Sequence, residues 1–329
     1  MTQHNDSRGP SRRDFLALGA GAFVVSTFGI GVARRRIVRR TVPVMGTTAE
    51  LMVVTRDDRA GHSALTAATD ELRAVERLMT RFRADSDIGR VNAAPPGTAV
   101  AVAAPTAAVV SEALRWAGAA GGSFDPALGR ATQLWNVTHR SAPPELTDVQ
   151  RLAGRGLYRQ IEIDGHRGGH VIVLRDPDVA IDLGGIAKGY GVDRAVAALR
   201  EWGITDGLVN VGGDLYALGS SLDDEGWSVG IRSATDPSRL AGTMVLRDRA
   251  VATSGDYEQF FEHGGRRYHH LLDPATGAPR TTAGHSLTVM AATCMTADAA
   301  ATAVFGCPHG SAGDVLRGVA ADAELVTLA

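Results

Sequence analysis

The chain has 329 residues, of which 44% are hydrophobic and 21% charged, and its formal net charge is -2. That is an ordinary globular composition, long enough for one large domain or two smaller ones around a substantial core. Near-neutral charge and 5% aromatic residues exclude a general affinity for nucleic acid or anionic membrane, and no interleaved basic and aromatic stretch offers base stacking.

The first residues read as an export signal rather than as part of the fold. Arg12-Arg13 stands just before Phe15-Leu16, and an uncharged run from Ala17 to Val32 follows. The run is short for a membrane span and diluted by glycine and alanine, as a twin-arginine (Tat) signal is. Gly31-Val32-Ala33 offers small residues for cleavage after Ala33; an uncleaved anchor held by Arg34-Arg35-Arg36 is the other reading. The expected organisation is a signal over 1–33, a basic linker over 34–40 and one domain over 41–329, in an extracytoplasmic location. Cys294 and Cys307 are the only cysteines. Neither lies near the signal to carry a lipid, two cannot build a zinc cluster, and their pairing is open.

Thr41 to Val54 reads as strand, interrupted at Met45-Gly46-Thr47, where a glycine marks close approach of a backbone or ligand. Leu65, Ala68, Leu72, Val75, Leu78 and Phe82 trace a helical stripe, and a new turn begins over Ile88 to Asn92. Thr106, after Pro105, is placed as the N-cap of a helix running to about Ala120, closed by Gly121-Gly122. Ser123-Phe124-Asp125-Pro126 follows, then Leu134-Trp135, and 138–146 is a polar loop. Short strands are expected over Gln160–Ile163, Val171–Leu174 and Val179–Asp182.

Asp182-Leu183-Gly184-Gly185-Ile186-Ala187-Lys188-Gly189 then turns a strand into a helix over 190–202. Backbone N–H groups, a helix N-terminus and a lysine converge there, which suits a phosphate. The bland alternative makes Asp182 a helix cap and leaves Lys188 solvated. The stretch is no Walker loop, because neither Ser nor Thr follows Lys188. Gly207 to Asp214 is a strand ending in an acid-glycine turn; strands follow around Trp227–Ile231 and Met244–Leu246. A last strand, His285 to Ala291, enters a helix from about Thr296. Mixed elements without steady βαβ alternation predict an α+β fold.

The order of the motifs is more specific than any one of them. Met45-Gly46-Thr47, Phe82 with Ser86 and Asn92, Gly122-Ser123-Phe124-Asp125, Asp182 to Gly189, Asn210 to Asp214, Thr253 to Tyr257, His270 to Gly277 and Thr296 to Phe305 form one succession. In that order and spacing the chain resembles the FAD:protein FMN transferases, the ApbE family, over roughly residues 41–310. The resemblance implies two related α+β halves around a central FAD and Mg²⁺ cleft. It implies an exported, magnesium-dependent enzyme that cleaves FAD, joins FMN to a threonine hydroxyl of another protein by a phosphoester, and releases AMP. Some members instead hydrolyse FAD to FMN and AMP. A non-catalytic flavin-binding protein is the third reading, and it requires a defective metal site.

Carried over by motif, Met45, Phe82, Gly122, Ser123, Phe124, Asp182, Lys188 and Leu271 would line the FAD site. The carbonyl of Gly185 with Asp298 and Thr302 would hold the metal, and His270 would move a proton. Phe82 stands where a tyrosine is frequent, and Gly185 often corresponds to alanine. The implied partners are FAD and an exported acceptor flavoprotein carrying a threonine target motif. No nucleic acid is expected, and membrane contact only through the signal or the acceptor.

The residue types suit that chemistry. A diphosphate repels an incoming alkoxide, and Mg²⁺ prefers hard oxygen ligands while keeping positions for phosphate. Histidine, with an ordinary pKa of about 6.5, suits proton transfer. Asp298 and Thr302 lie four apart in an alanine-rich helix and so share a face, with Asp298 expected in its first turn. The competing reading of Asp298 is a favourable N-terminal helix residue. For His269-His270 it is one imidazole in the core and one toward water. Tyr257 and Trp135 read as core or rim aromatics, Asp214 and Asp273 as turn residues.

Overall fold

Met45 and Gly46 both have positive φ, 54° and 72°. Two such residues in succession make the tight turn that matches strand twist, so the chain doubles back here as a hairpin. Its arms are strands β2 (Arg36–Val44) and β3 (Thr47–Thr55), which follow a short β1 (Phe23–Ser26). The interruption of the expected strand is therefore the hairpin turn itself. The computed structural model describes residues 23–26, 35–166, 169–222, 225–236, 238–282, 284–307 and 309–326.

Helix α1 (Asp58–Met79) follows, capped by Asp57, and α2 (Asp87–Ala93) is capped by Ser86. Then come β4 (Val100–Val102), α3 (Ala104–Ala119), α4 (Gly129–Trp135), α5 (Leu146–Leu152), β5 (Ile161–His166) and β6 (Gly169–Leu174). Next are α6 (Ala187–Glu201), β7 (Gly207–Val211), β8 (Asp214–Leu218), β9 (Trp227–Arg232), β10 (Leu240–Leu246) and β11 (Arg249–Gly255). The chain ends through β12 (Phe260–His263), β13 (Arg266–His269), β14 (Leu272–Asp273), β15 (Ala278–Pro279), β16 (Ser286–Ala291), α7 (Cys294–Val304), α8 (His309–Val319) and β17 (Glu324–Leu325).

The main sheet has seven strands in the order β17-β16-β11-β8-β7-β3-β2, and all neighbouring strands in it pair antiparallel. Both of its faces are covered, which the side-chain period of two makes visible. Ala49, Leu51 and Val53 of β3 join the core under helices α1, α6 and α7, while Met52 and Val54 face a second core. That second core also holds Leu208, Leu215, Val251, Trp227 and Phe23, beneath the small sheet β1-β9-β10. Burying side chains of this size contributes about 1.5–3 kcal/mol each. A third cluster joins α4 and α5 to the β12–β15 segment, where Tyr268 stacks between Trp135 at 5.6 Å and Phe261 at 5.1 Å.

Several expectations are corrected. Residues 36–40, expected in a linker, are strand, because Arg36 to Arg40 pair with Leu51 to Thr55. Phe23–Ser26, inside the span read as a signal, pairs with Ser228 to Ile231 of β9, and Phe23 is fully buried; this pairing does not bear on export, and Arg12, Arg13 and the stretch through Ala33 otherwise lie outside the described residues. Thr106 is inside α3 rather than capping it, and its hydroxyl donates to Asp87 Oδ2 at 2.6 Å. The strand expected over Val179–Asp182 is a single bridge, Ala180 to Leu128. The two cysteines are unbridged.

Candidate active site

The N-terminus of α6 and the first turns of α7 cross closely enough to build a site between them. Gly189 makes this crossing possible. A Cβ there would lie 2.3 Å from the Cys294 carbonyl oxygen and 2.8 Å from Asp298 Cβ. Its N–H instead donates to Asp298 Oδ2 at 2.9 Å. A Cβ on Gly185 would meet Thr302 Oγ1 at 2.8 Å, so Gly185, Asp298 and Thr302 are brought together. Helix α7 starts at Cys294 with Thr293 as its side-chain cap. Asp298 is thus in the second turn, not the first, and the helix N-terminus has other partners. Asp193 of α6 accepts from the N–H groups of Cys294 at 2.8 Å and Met295 at 2.9 Å.

Lys188 stands at the centre of a charged cluster. Its Nζ lies 2.5 Å from Asp214 Oδ2 and 3.4 Å from Asp298 Oδ1. Burial opposes its charge, but Asp214 and Asp298 outweigh burial and hold its pKa above the ordinary lysine value. Burial and the Asp298 carboxylate push Asp214 upward, with Lys188 opposing. Glu258 is exposed at the surface, with its carboxyl pushed up to about 7 by the local loss of solvent, Lys188 opposing and Asp298 adding to the rise; the buried carboxylates are Asp214 and Asp298. The pocket therefore carries more carboxylates than its one ammonium neutralises. Asp214 stands at the Gly212-Gly213 turn, as its sequence context predicts, and is also the partner of Lys188. The Gly212-Gly213-Asp214 turn after an apolar strand was the signal available for it. Glu258 had no comparable signal.

The two histidines divide as their surroundings dictate. His269 is buried, and its Nε2 faces the Arg280 carbonyl at 2.9 Å while its Nδ1 accepts from the Leu271 N–H at 3.2 Å. A carbonyl only accepts, so His269 is a neutral tautomer fixed by structure. His270 is half-buried, with Nδ1 at 3.4 Å from the Gln259 carbonyl. That contact places the proton on Nδ1 and leaves Nε2 as a free base. Burial lowers its pKa to about 4, the Gln259 carbonyl opposing, so the ring is neutral at physiological pH.

Asp182 does not cap α6. Its Oδ1 accepts from the Gly184 N–H at 2.9 Å, and Arg81 Nε lies 3.1 Å from its Oδ2. Phe82 is 81% exposed, with the Arg81 guanidinium 4.3 Å from its ring centroid. The Met45 N–H donates to Glu76 at 2.8 Å, and a Cβ on Gly191 would meet its sulfur at 3.0 Å. Gly121 and Gly122 have positive φ, and Ser123 Oγ is buried with no partner among the described residues. Phe124 is buried in the main core. The unanticipated Arg280 ties these segments together. It donates to the carbonyls of Ser123 and Phe305, and to that of Leu272, the neighbour of Leu271, at 3.1 Å. Trp135 is a core residue whose Nε1 donates to the Gly277 carbonyl at 2.7 Å, and Asp273 forms the expected turn through Ala275 at 2.9 Å.

A family model described as the ApbE family matches residues 45–324. The chain belongs to the ApbE family. An FAD:protein FMN transferase of Treponema pallidum is 35% identical over 292 residues, 84% of this chain and 80% of that protein. One from Vibrio cholerae is 33% identical over 265 residues, 79% of this chain and 78% of that one. Among solved structures, the flavin transferase ApbE from Vibrio cholerae superimposes with a TM-score of 0.75 at 28% identity, covering 86% of this chain and 91% of that chain. The ApbE protein from Thermotoga maritima gives 0.79 at 28% identity, covering 88% and 93%. The α+β architecture is that of the ApbE structures.

The residues of this ApbE-family site fit a hard divalent cation. Among the described residues no group of three His, Cys, Asp or Glu could hold a metal alone. One carboxylate, one hydroxyl and one backbone carbonyl are all hard oxygens, and a ligand's phosphate oxygens would complete such a shell. The surplus of buried carboxylates and the orphaned Ser123 hydroxyl fit a cation and a polar ligand arriving together.

Proposed function

We propose that this chain is an FAD:protein FMN transferase. It uses Mg²⁺ to move FMN from FAD onto a threonine hydroxyl of an exported acceptor flavoprotein, releasing AMP. What supports this reading is one arrangement: Asp298, Thr302 and Gly185 share a corner with the Lys188 ammonium, in a site that also contains a neutral histidine. Bound there, the metal would supply charge neutralisation on the diphosphate. Asp298, Thr302 and the Gly185 carbonyl would hold it, and Lys188 would add a fixed cation. His270 Nε2 would take the threonine proton as the threonine oxygen bonds to the FMN phosphorus. The bond from that phosphorus to the bridging oxygen breaks, and the oxygen leaves with AMP.

The test is to incubate protein, FAD and Mg²⁺ with a candidate acceptor and read the acceptor's mass. A gain of one FMN with stoichiometric AMP supports transfer. Free FMN without acceptor modification replaces it with hydrolysis, and no AMP at all replaces it with flavin binding.

The same proposal includes export by the twin-arginine route, supported by Arg12-Arg13 ahead of Phe15-Leu16. Replacing both arginines with lysine is expected to leave the protein in the cytoplasm. Unchanged export would remove this part of the reading.

A further inference from the structure

Asp214 and Asp298 reach Lys188 from unlike supports. Asp214 opens β8 at the tip of a hairpin, paired to Val211 and to Ala252, with the Gly213 N–H held by Asn210 Oδ1 at 3.2 Å. It is fixed by sheet on both sides. Lys188 sits on a flexible four-carbon stem in the first turn of α6, its Nζ also 3.4 Å from the Gly184 carbonyl. Asp298 is the one carboxylate of the oxygen corner, and Lys188 Nζ lies 3.4 and 3.5 Å from its two oxygens. The short contact to Asp214 and the long ones to Asp298 describe an ammonium anchored to one acid and leaning on the other.

We propose that Asp214 is a positioning residue that holds the Lys188 ammonium back from Asp298, near enough to act as its counter-ion but not to displace a divalent cation that claims that carboxylate. This rests on the metal reading of Gly185, Asp298 and Thr302 given above. When the cation takes Asp298, Lys188 stays on Asp214 and remains directed into the site. No bond changes; one ion contact is exchanged for another. Lys188 and the cation therefore compete for Asp298 in the absence of FAD. Coulomb attraction at a few ångströms in a partly buried site is large enough for the exchange to show in affinity.

Mn²⁺ titration followed by electron paramagnetic resonance, without FAD, reads this directly, with melting curves to establish folding. Lys188→Met is expected to tighten Mn²⁺ binding about tenfold, the equivalent of about 1.4 kcal/mol. Asp214→Asn is expected to weaken it by a similar factor, because the released Lys188 settles on Asp298. The double variant is expected to bind like Lys188→Met, since the effect of Asp214 runs through the lysine. If Asp214→Asn weakens binding equally with and without Lys188, its carboxylate acts directly and the positioning role is overturned. If Asp214→Asn does not fold, Lys188→Met alone decides: unchanged or weaker binding overturns the competition. A parent that binds no Mn²⁺ even with FAD overturns the metal reading instead.

Discussion

The Asn92 amide is paired to the backbone of Ile181 in both directions: Nδ2 donates to its carbonyl at 2.8 Å and Oδ1 accepts from its N–H at 2.7 Å. This double bond substitutes for the ladder that a neighbouring strand would have provided. It fixes the chain one residue before Asp182, which holds Arg81 and the Gly184 turn. A residue on α2 thereby sets the entry to the charged corner, 89 positions along the chain.

Asn92→Leu is expected to leave a part-buried N–H and carbonyl unpaired, each costing about 1–3 kcal/mol. The melting temperature should fall by about 5 °C or more, and the KM for FAD should rise more than kcat falls. Asn92→Asp keeps the acceptor but sets a carboxylate against the Ile181 carbonyl, so it should be at least as damaging. A melting curve like the parent's for both variants would show that Ile181 is held by something else.

His270→Ala is expected to lower the transfer rate by about 10²–10⁴ while FAD affinity changes little. The pH dependence of kcat/KM gives a second reading. With the folded pKa lowered to about 4 by burial, the base is already free at pH 5. The acid limb should therefore lie near pH 4 in the parent and not near the ordinary histidine value. Loss of rate centred near pH 6.5 would assign the titration to another group.

Much of this site was legible in the sequence because its parts are local. A glycine-rich turn before an apolar helix, and a carboxylate and a hydroxyl four residues apart, carry their geometry with them. What was not legible is pairing at long range. Lys188 meets Asp214 and Asp298 across the fold, Asp87 reaches Thr106, and Arg280 gathers carbonyls from Ser123 and Phe305. No spacing announces such contacts. The hairpin at Met45-Gly46 was missed for another reason. The signal of two positive-φ residues is clear with Asn-Gly or Asp-Gly, and methionine in the first position hides it. The continuous apolar run of β3 was readable as strand but not as one buried on both faces, which only the small sheet behind it reveals.

Asp193 offers a test of how α6 and α7 are joined. Its carboxylate accepts from the first two N–H groups of α7, yet burial, partly offset by those bonds, pushes its pKa up to about 6 from 3.8. The folded state thus binds this proton more tightly than the unfolded chain. Its contribution to stability is greatest below about pH 4 and is lost as pH rises through about 6, with a limiting slope of about 1.4 kcal/mol per pH unit. In Asp193→Asn that pH dependence should vanish, which melting curves between pH 4 and 7 will show. An identical slope in parent and variant would move the titration elsewhere, with Glu258 as the next group to replace.

The metal reading of α7 is decided by separating stability from cation response. Thr293 and Asp193 already satisfy the N-terminus of α7, and Asp298 lies a turn further in with its Oδ2 on the Gly189 N–H. Asp298 is therefore not needed as a cap. Its removal should loosen the crossing of α6 and α7 by one charge-assisted hydrogen bond, about 1.5–3 kcal/mol. A cation that binds only the folded protein adds stability by mass action, about 2.7 kcal/mol at a hundredfold excess over its Kd. The parent with FAD should melt higher in Mg²⁺ than in chelator. Asp298→Ala should lose that increment and the release of AMP together, because the diphosphate charge is left without its neutralising partner. Thr302→Val is nearly isosteric and keeps the packing against Gly185, so it should melt like the parent in chelator. With one oxygen ligand gone, it should require more Mg²⁺ for the same increment and the same turnover. An Asp298→Ala protein that keeps its full Mg²⁺ increment would place the cation elsewhere in the cleft, whatever its activity.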